Sequence, residues 1–333
     1  MVGSLLSVTD RGLYCAAGDF YIDPWRGVER AVITHGHSDH ARAGSAAYLC
    51  LRETVGLLKQ RLGSGLSVEG VGYGEVRDMN GVKVSLHPAG HVLGSAQVRV
   101  AYRGEVWVVS GDYKVGGDDP TCAAFEPVRC DTFITESTFG LPVYRWPEAE
   151  QVFGEINAWW RGNRDAGVTS VLYAYSLGKA QRVLAGVDAG IGPILVHDAV
   201  WGLLPYYREA GVRLPEVARL TRERLVEVKG QALVVAPPGA ADSTLLRAGG
   251  VVASAFASGW MLVRGVRRRR GMGRGFVVSD HADWPGLLAA VEATGASRVL
   301  VTHGTGTALV RWLREAGKEA ELLSTHFSGE GGE

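Results

Sequence analysis

The sequence is short of paired cysteines, of net charge and of long apolar runs, and each absence removes a class of protein. Its four cysteines are scattered and none forms a Cys-x-x-Cys pair, so we interpret them as reduced thiols. The formal net charge is +0, so any nucleic-acid-binding surface has to be local. No apolar run has the length of a membrane span and no signal peptide is recognisable, so we expect a cytoplasmic protein.

Length and composition describe a globular protein. The 333 residues allow one large or two medium domains, and 46% hydrophobic against 21% charged residues can form a large core. Glycine is abundant at 46 residues, which indicates many tight turns and close backbone approaches. These numbers leave the function open.

A dense group of histidine and aspartate follows an apolar predicted strand, where residues 34–40 read THGHSDH. Side chains alternate along an extended segment, so His35 and His37 can point to one side. Asp39 and His40 follow as the chain turns, so they can face a second metal position. Imidazole and carboxylate at this density are costly without an ion to share, so a solvated polar loop is disfavoured. The motif predicts a metal cluster that could hold two ions.

Further candidate ligands stand near the ends of other predicted strands. His91 lies between Gly90 and Gly94, which allow the backbone to bend it inward. The cluster at residues 34–40 lacks a third ligand for its first metal, and His91 is a candidate for that ligand. Asp112 follows the second strand of a predicted hairpin and is the natural bridge between two divalent ions. Glu136 ends the next predicted strand. The first 140 residues thus repeat one pattern, a strand with a polar residue at its end.

Other strand ends carry polar residues whose role the local sequence leaves open. Asp23 stands directly before Pro24, and it either orients a ligand histidine or only initiates the turn. Late in the chain, predicted strands end in a segment with Asp280 and His281, and again at His303. The last section therefore returns to the pattern of the first.

The middle of the chain has a different character, because apolar predicted strands alternate with helices there. We predict an α/β domain with a mainly parallel sheet over residues 141–274. A strand, a turn with Ser176 and Gly178, and a helix that begins near Lys179 could bind an anion, although many such turns bind nothing. Six arginines fall between residues 263 and 275. They form either a solvated surface segment or a contact to a phosphate backbone.

Taken together, these motifs resemble those of the metallo-β-lactamase-fold nucleases of the β-CASP group. The His-x-His-x-Asp-His motif is residues 35–40, and the other shared positions are Asp23, His91, Asp112, Glu136, His281 and His303. The stretches YSLGKAQR, ASGWM and SDHADWPGLL are most similar to the DNA ligase-associated exonuclease family. The resemblance implies a metallo-β-lactamase αββα sandwich formed by residues 1–140 and 275–333. The inserted β-CASP domain would occupy residues 141–274.

The resemblance also implies a binuclear metal site with two Zn²⁺ ions, or Mn²⁺ in their place. The implied ligands are His35, His37 and His91 for one ion, Asp39, His40 and His303 for the other, and Asp112 as the bridge. The implied catalytic residues are Asp23, Asp39, Glu136 and His281. His281 would contact the scissile phosphate and help to protonate the leaving oxygen, while Glu136 would hold it in orientation. Candidate contacts to the nucleic-acid backbone are Ser176, Lys179, Arg264, Arg267, Arg268 and Ser279.

The function that the resemblance implies is a metal-dependent DNA exonuclease, acting 5′ to 3′, that hydrolyses phosphodiester bonds with a hydroxide activated between two zinc ions. The expected setting is DNA repair with an ATP-dependent DNA ligase and a helicase. The alternative is an RNA endonuclease or 5′-exonuclease of the same fold, which the short C-terminal part of the chain disfavours. A thioester or lactam hydrolase would not need Glu136, His281 or the inserted domain. A non-enzymatic DNA-binding scaffold would not need the intact ligand set.

Overall fold

The computed structural model describes residues 4–116, 119–241, 244–263 and 274–325. Internal contacts divide the chain into a first unit, Met1–Arg145 with His281–Glu333, and a second unit, Trp146–Asp280. The domain boundaries expected from the sequence, after residues 140 and 274, stay a prediction. No helix among the described residues is long and apolar enough to cross a membrane.

Strands and helices alternate along much of the chain. The strands are β1 Ser7–Thr9, β2 Gly12–Cys15, β3 Phe20–Ile22, β4 Arg30–Val32, β5 Ala47–Leu51, β6 Val68–Val71, β7 Arg77–Met79, β8 Val82–Pro88, β9 Ala96–Tyr102, β10 Glu105–Val109, β11 Thr132–Thr135, β12 Thr169–Tyr173, β13 Ile194–Val196, β14 Ala218–Arg219, β15 Leu233–Ala236, β16 Val252–Ala257, β17 Gly275–Phe276, β18 Arg298–Val301 and β19 Glu319–Leu322. The α-helices are α1 Arg52–Leu62, α2 Ala149–Asp165, α3 Lys179–Gly186, α4 Asp198–Trp201, α5 Leu204–Glu209, α6 Arg222–Glu227, α7 Trp284–Thr294 and α8 Thr307–Glu315. Short 3₁₀ turns cover Pro238–Ala240, Leu246–Gly249 and Gly259–Leu262.

The first unit contains two mixed sheets. One has the order β1-β2-β3-β4-β5-β6, antiparallel up to β3 and parallel from β3 to β6. The other has the order β19-β18-β11-β10-β9-β8-β7, in which β7 to β10 are antiparallel neighbours. Strands β10, β11, β18 and β19 of this second sheet run parallel to one another. A parallel run of strands places their carboxyl ends at one edge of the sheet.

An apolar core joins the two sheets of the first unit. It contains Leu13, Ile22 and Val32 from one sheet and Val84, Val98, Val100 and Trp107 from the other. Leu58 of α1 packs with Ala31 and Tyr48 of the first sheet. Leu287 of α7 and Leu313 of α8 pack with Phe133 and Val299 of the second sheet. The layers are therefore helix, sheet, sheet and helices; their assignment to the metallo-β-lactamase sandwich stays a prediction.

The second unit is built on a sheet that is parallel throughout, with the order β14-β13-β15-β12-β16-β17. Every residue of β12 and β15 is buried, as expected for parallel strands covered on both faces. On one face, Leu172 packs with Ile156 and Trp160 of α2. On the other, Val171 packs with Leu225 of α6. The α/β class predicted from the sequence is confirmed.

Local signals in the sequence explain several element ends. In the hairpin of β9 and β10, Arg103 and Gly104 have φ angles of 51° and 87°, the left-handed pair that matches strand twist in a two-residue turn. Helix α7 begins after Asp283, whose carboxylate accepts from the Gly286 amide at 2.9 Å, and ends at Gly295 with φ 68°. The sequence predicts a hairpin turn at Arg103 and Gly104 and a helix over residues 284–294, and both are confirmed.

The sequence predicts a long helix over residues 147–160, whereas helix α2 covers Ala149–Asp165. Glu148 has an extended backbone, so the first turn begins after it. At the other end, the Asn163 side-chain amide donates to Ser170 Oγ at 2.9 Å and Arg164 donates to the Ile191 carbonyl. These tertiary hydrogen bonds hold an additional turn that helical periodicity does not show.

The core of the second unit allows a direct test of packing. Ile156 is fully buried in α2, so Ile156→Ala removes methyl groups and leaves a cavity. We expect the free energy of unfolding, measured by urea denaturation, to fall by about 2–5 kcal/mol. The control is Val226→Ala in α6, at a side chain that is 47% exposed, which should change it by less than about 0.5 kcal/mol. Equal effects of the two changes would contradict this packing.

Candidate metal centre

Neighbouring strands of the first unit end at one place with polar residues. Strands β10, β11 and β18 are adjacent and parallel, and Asp112, Glu136 and His303 follow their carboxyl ends. The segment 34–40 follows β4 of the other sheet, and His91 lies in the connection between β8 and β9. The fold therefore brings together ligand candidates that are far apart in the sequence.

His35, His37, His91 and Asp112 form one set, with ligand atoms all within 4.8 Å of one another. His37 Nδ1 lies 3.1 Å from His35 Nε2 and 3.1 Å from His91 Nε2. Asp112 Oδ2 is 3.6 Å from His35 Nε2 and 3.8 Å from His91 Nε2. Three nitrogens and a carboxylate oxygen thus converge on one point.

His40, His303 and Asp112 form a second set, so Asp112 belongs to both. The Nε2 atoms of His40 and His303 are 3.2 Å apart, and their rings are stacked with an interplanar angle of 3°. Asp112 Oδ2 lies 3.4 Å from His40 Nε2, and Oδ1 lies 3.8 Å from His303 Nε2. Asp39 is outside this set, although its Oδ2 is 3.9 Å from His40 Nε2.

The donor atoms suit divalent cations. Tetrahedral coordination with zinc–nitrogen bonds of about 2.0–2.1 Å places neighbouring ligand atoms about 3.3 Å apart, close to the nitrogen–nitrogen distances found in both sets. Asp112 Oδ1 is buried and has no hydrogen-bond partner among the described residues, an arrangement that is costly for a carboxylate oxygen unless a cation compensates it. Imidazole and carboxylate together suit zinc and manganese. The residues present therefore fit a metal site.

The electrostatics of the cluster hold His35, His303 and Asp112 in the forms that bind metal, whereas His40 stays protonated in the metal-free protein. Burial holds the pKa of His35 well below its ordinary value and lowers the pKa of His303 to about 4, so both imidazoles are neutral at pH 7. Burial raises the pKa of Asp112, but charged imidazoles, His40 first, outweigh it and hold the pKa well below the usual range. Burial lowers the pKa of His40, yet Asp112 and Asp39 outweigh it and raise it well above the ordinary value. Cation binding would therefore release a proton from His40.

Glu136 and His281 form a buried pair beside these sets. His281 Nδ1 lies 2.9 Å from both carboxylate oxygens of Glu136, and Glu136 Oε1 also accepts from the Tyr113 amide at 2.8 Å. The His281 ring centroid is 4.6 Å from that of His91. Glu136 and His281 could also group with Asp112 around an ion. Both oxygens of Glu136 already contact His281, which favours an orienting role for this carboxylate.

Two of the site residues have backbones in the left-handed region, which is unusual for residues other than glycine. Asp23 has φ 45° and His303 has φ 56°. The Ser137 hydroxyl contacts the carbonyls of Thr302 and His303, and so it can stabilise the strained turn. Strain of this kind persists only where the surrounding structure fixes it, and here it directs His303 toward His40.

Curated proteins of similar sequence have names that refer to nucleic acids or to RNA processing. A probable DNA ligase of Opitutus terrae is 32% identical over 93% of this chain and 30% of its own length. Endoribonuclease ysh-1 of Neurospora crassa is 28% identical over 48% of this chain and 20% of its own length. Cleavage and polyadenylation specificity factor 73 of Drosophila melanogaster is 29% identical over 36% of this chain and 18% of its own length. These relatives indicate a metallo-β-lactamase/β-CASP nuclease family.

The matches within this family cover only parts of the relatives. The chain spans 30% or less of the length of the three proteins named above. No protein-family model matches the chain. Among solved structures, a protein of unknown function from Enterococcus faecalis V583 has a TM-score of 0.61 at 11% identity, over 90% of this chain and 80% of that one. This likeness concerns the fold alone.

The residues predicted to contact nucleic acid lie in the second unit or outside the described residues. Ser176 is partly exposed in the turn before α3. Lys179 is fully buried, with Nζ 3.1 Å from Asp280 Oδ1, and the Ser279 carbonyl accepts from Arg182. Those that lie outside the described residues are Arg264, Arg267 and Arg268. All of these contacts stay predictions.

Sequence reasoning missed three residues that hold the ligand-bearing segments. Arg61 of α1 donates to the carbonyls of Gly36 and Ala41, at two points of the histidine loop. Ser137 contacts the turn at His303, and Thr34 hydrogen-bonds to Asp23. Thr34 and Ser137 are direct neighbours of motif residues, which is a weak signal. Nothing in the sequence connects Arg61 with the loop.

The depressed pKa of His303 predicts how the stability of the metal-free protein depends on pH. The folded protein keeps His303 neutral down to about pH 4, whereas an unfolded histidine takes up a proton near pH 6.5. The unfolded state therefore binds more protons between these values, and this residue lowers the free energy of unfolding as the pH falls through that window. In His303→Gln this contribution is absent.

We expect the free energy of unfolding of His303→Gln, measured in urea after removal of metal with a chelator, to fall less between about pH 6.5 and pH 4 than that of the unaltered protein. The comparison between the two proteins cancels the contributions of titrating groups that do not interact with His303. Identical slopes in this window would show that His303 is not held neutral by burial.

Proposed function

We propose that this protein is a metal-dependent nuclease that hydrolyses phosphodiester bonds in DNA with two divalent cations, Zn²⁺ or, alternatively, Mn²⁺. The observation that carries the proposal is one buried carboxylate, Asp112, shared by two sets of histidines beside the oriented pair of Glu136 and His281. The names of the relatives, an endoribonuclease and a probable DNA ligase, support a nucleic-acid substrate.

The two sets, with Asp39 added to the second as the sequence resemblance implies, divide the proposed ligands between the cations. The first would be held by His35, His37 and His91, the second by Asp39, His40 and His303, and Asp112 would reach both. When bound, the cations supply Lewis acidity for the phosphoryl oxygens and lower the pKa of water to near neutrality. Asp23 would orient the ring of His40, since its Oδ2 lies 2.7 Å from His40 Nδ1.

His281 would serve as the proton donor to the leaving oxygen. With Nδ1 donating to Glu136, Nε2 would be the atom that donates to the substrate. A protonated Nε2 can donate to the 3′ oxygen as the phosphorus–oxygen bond breaks, and Glu136 stabilises the imidazolium while it exists. The products would be a 5′-phosphate and a 3′-hydroxyl.

The second unit would contact the sugar–phosphate backbone. Ser176, Ser279 and Lys179 are the proposed contacts, together with Arg264, Arg267 and Arg268. The charge of Lys179 is already compensated by Asp280, so the arginines would supply most of the attraction to phosphate.

We propose exonucleolytic digestion of DNA in the 5′ to 3′ direction, in DNA repair with an ATP-dependent ligase and a helicase. The Opitutus terrae relative supports the choice of DNA, because it is named a probable DNA ligase and matches 93% of this chain. The Neurospora crassa relative, named an endoribonuclease, supports the alternative, an RNA endonuclease or 5′-exonuclease.

Two substitutions separate cation binding from proton transfer. Asp112→Asn keeps the size of the side chain but removes the shared charge, so we expect loss of both cations and of nuclease activity. His281→Ala should keep both cations and lower the cleavage rate by about 10²–10⁴-fold, because only the proton donor is lost. Cation content is measured by inductively coupled plasma mass spectrometry and cleavage with labelled DNA.

His87→Ala is the matched control for these variants. His87 lies four positions before His91 but contacts Ser85, with Nε2 at 3.0 Å from Oγ, and it is in neither ligand set. It should keep both cation content and activity. DNA cleavage by His281→Ala at the unaltered rate would refute the role of His281, and full cation content in Asp112→Asn would refute the shared site.

The choice between DNA and RNA is tested with matched single-stranded oligonucleotides of the two kinds. Each carries a label and either a 5′-phosphate or a 5′-hydroxyl, and the protein is supplied with zinc or manganese. We expect DNA to be shortened from its 5′ end and RNA to be cut at least about tenfold more slowly, a difference of about 1.4 kcal/mol in the barrier. Faster cleavage of RNA, or internal cuts from the first time point, would favour the alternative.

A further inference from the structure

Asp23 is the centre of a buried hydrogen-bond network behind the histidines. Its Oδ1 accepts from the Thr34 amide at 2.8 Å, and its Oδ2 accepts from the Thr34 hydroxyl at 2.6 Å. The same Oδ2 lies 2.7 Å from His40 Nδ1. Asp23, Thr34 and His40 are each at most 2% exposed, so water does not compete for these contacts.

The Thr34 hydroxyl also contacts a ligand candidate of the other set, since its Oγ1 lies 3.0 Å from His35 Nδ1. A hydroxyl has one proton and two lone pairs. Its shortest contact is the carboxylate of Asp23, so the proton is directed there and a lone pair is left to accept from His35 Nδ1. This would form a relay in which His35 donates to Thr34 and Thr34 donates to Asp23, to which His40 would also donate.

The contacts of His35 and His40 on the opposite side of each ring agree with this relay. The Nε2 atoms of His35 and His40 face Asp112, at 3.6 and 3.4 Å from its Oδ2. A histidine that binds a cation through Nε2 carries its remaining proton on Nδ1, where an acceptor fixes the tautomer and the ring orientation. His40 has that acceptor directly in Asp23. His35 has it only through the hydroxyl of Thr34.

We propose that Thr34 is a positioning residue through which Asp23 orients ligand histidines of both sets. Through its hydroxyl, one carboxylate orients His40 in the second set and His35 in the first. The inference rests on the two-cation site of the proposed function and is independent of which nucleic acid is cleaved.

Packing leaves the Thr34 side chain little freedom. A Cβ on Gly111, which has φ 57°, would lie 2.7 Å from Thr34 Cβ, so only glycine fits beside it. The Thr34 carbonyl accepts from the Ala96 amide at 2.8 Å, which fixes the backbone. An immobilised hydroxyl makes a directed hydrogen bond at low entropic cost, as positioning of a ligand histidine requires.

The test compares two substitutions that differ in the hydroxyl. Thr34→Val has the same shape as threonine but lacks the hydroxyl, whereas Thr34→Ser keeps the hydroxyl and loses a methyl group. We expect Thr34→Val to bind the weaker-held of its two cations about 10–100-fold less tightly, and Thr34→Ser to bind both within a few-fold of the unaltered protein. Affinity is measured by competition with a chromophoric chelator, with metal content determined in parallel.

Nuclear magnetic resonance of the unaltered protein with zinc and ¹⁵N-labelled histidine gives a second readout that needs no variant. It shows which ring nitrogen carries the proton, and we expect Nδ1 for both His35 and His40. A proton on Nε2 of His35, or affinities of Thr34→Val equal to those of the unaltered protein, would overturn the inference. Failure of the unaltered protein to bind two cations would instead refute the proposed two-cation site.

Discussion

The centre of the first unit depends on one buried negative charge. Asp112 is 4% exposed and has Oδ2 within 3.4–3.8 Å of three histidine nitrogens and Oδ1 3.8 Å from a fourth, His303. A carboxylate in such surroundings is costly unless positive charge compensates it. Protonated His40 provides part of that charge in the metal-free protein, and cations shared by the two sets would provide it in the metal-bound protein. The same residue thus makes the two sets one site.

The parallel part of the second sheet explains how distant residues reach this charge. Strands β10, β11 and β18 end at the same edge, so Asp112, Glu136 and His303 lie close together although long segments separate them. The left-handed backbone of His303 and the hydrogen bonds of Ser137 complete the geometry at that edge. Strained backbone of this kind is common at functional sites, where the surrounding structure holds it in place.

The sequence predicted those features whose physical cause is local. The hairpin turn at Arg103 and Gly104 and the span of helix α7 follow from residues close to one another in the sequence, and both are confirmed. The cluster at residues 35–40 was also visible, because its donor atoms are dense within one short segment. The additional turn of α2 and the contacts of Arg61 were not, because each depends on groups from other elements.

By itself, the sequence determined the chemical nature of the site: imidazole and carboxylate donors at strand ends, in an α/β protein with a neutral overall charge. Only the tertiary structure decided which donors share a point. His303 Nε2 comes within 3.2 Å of His40 Nε2 across 263 positions of chain, and Thr34 connects Asp23 with His35. Periodicity describes the face of one strand or helix, whereas these distances depend on strand order and on the packing of two sheets. For this reason the types of ligand can be identified from the sequence, whereas the sets that they form depend on the fold.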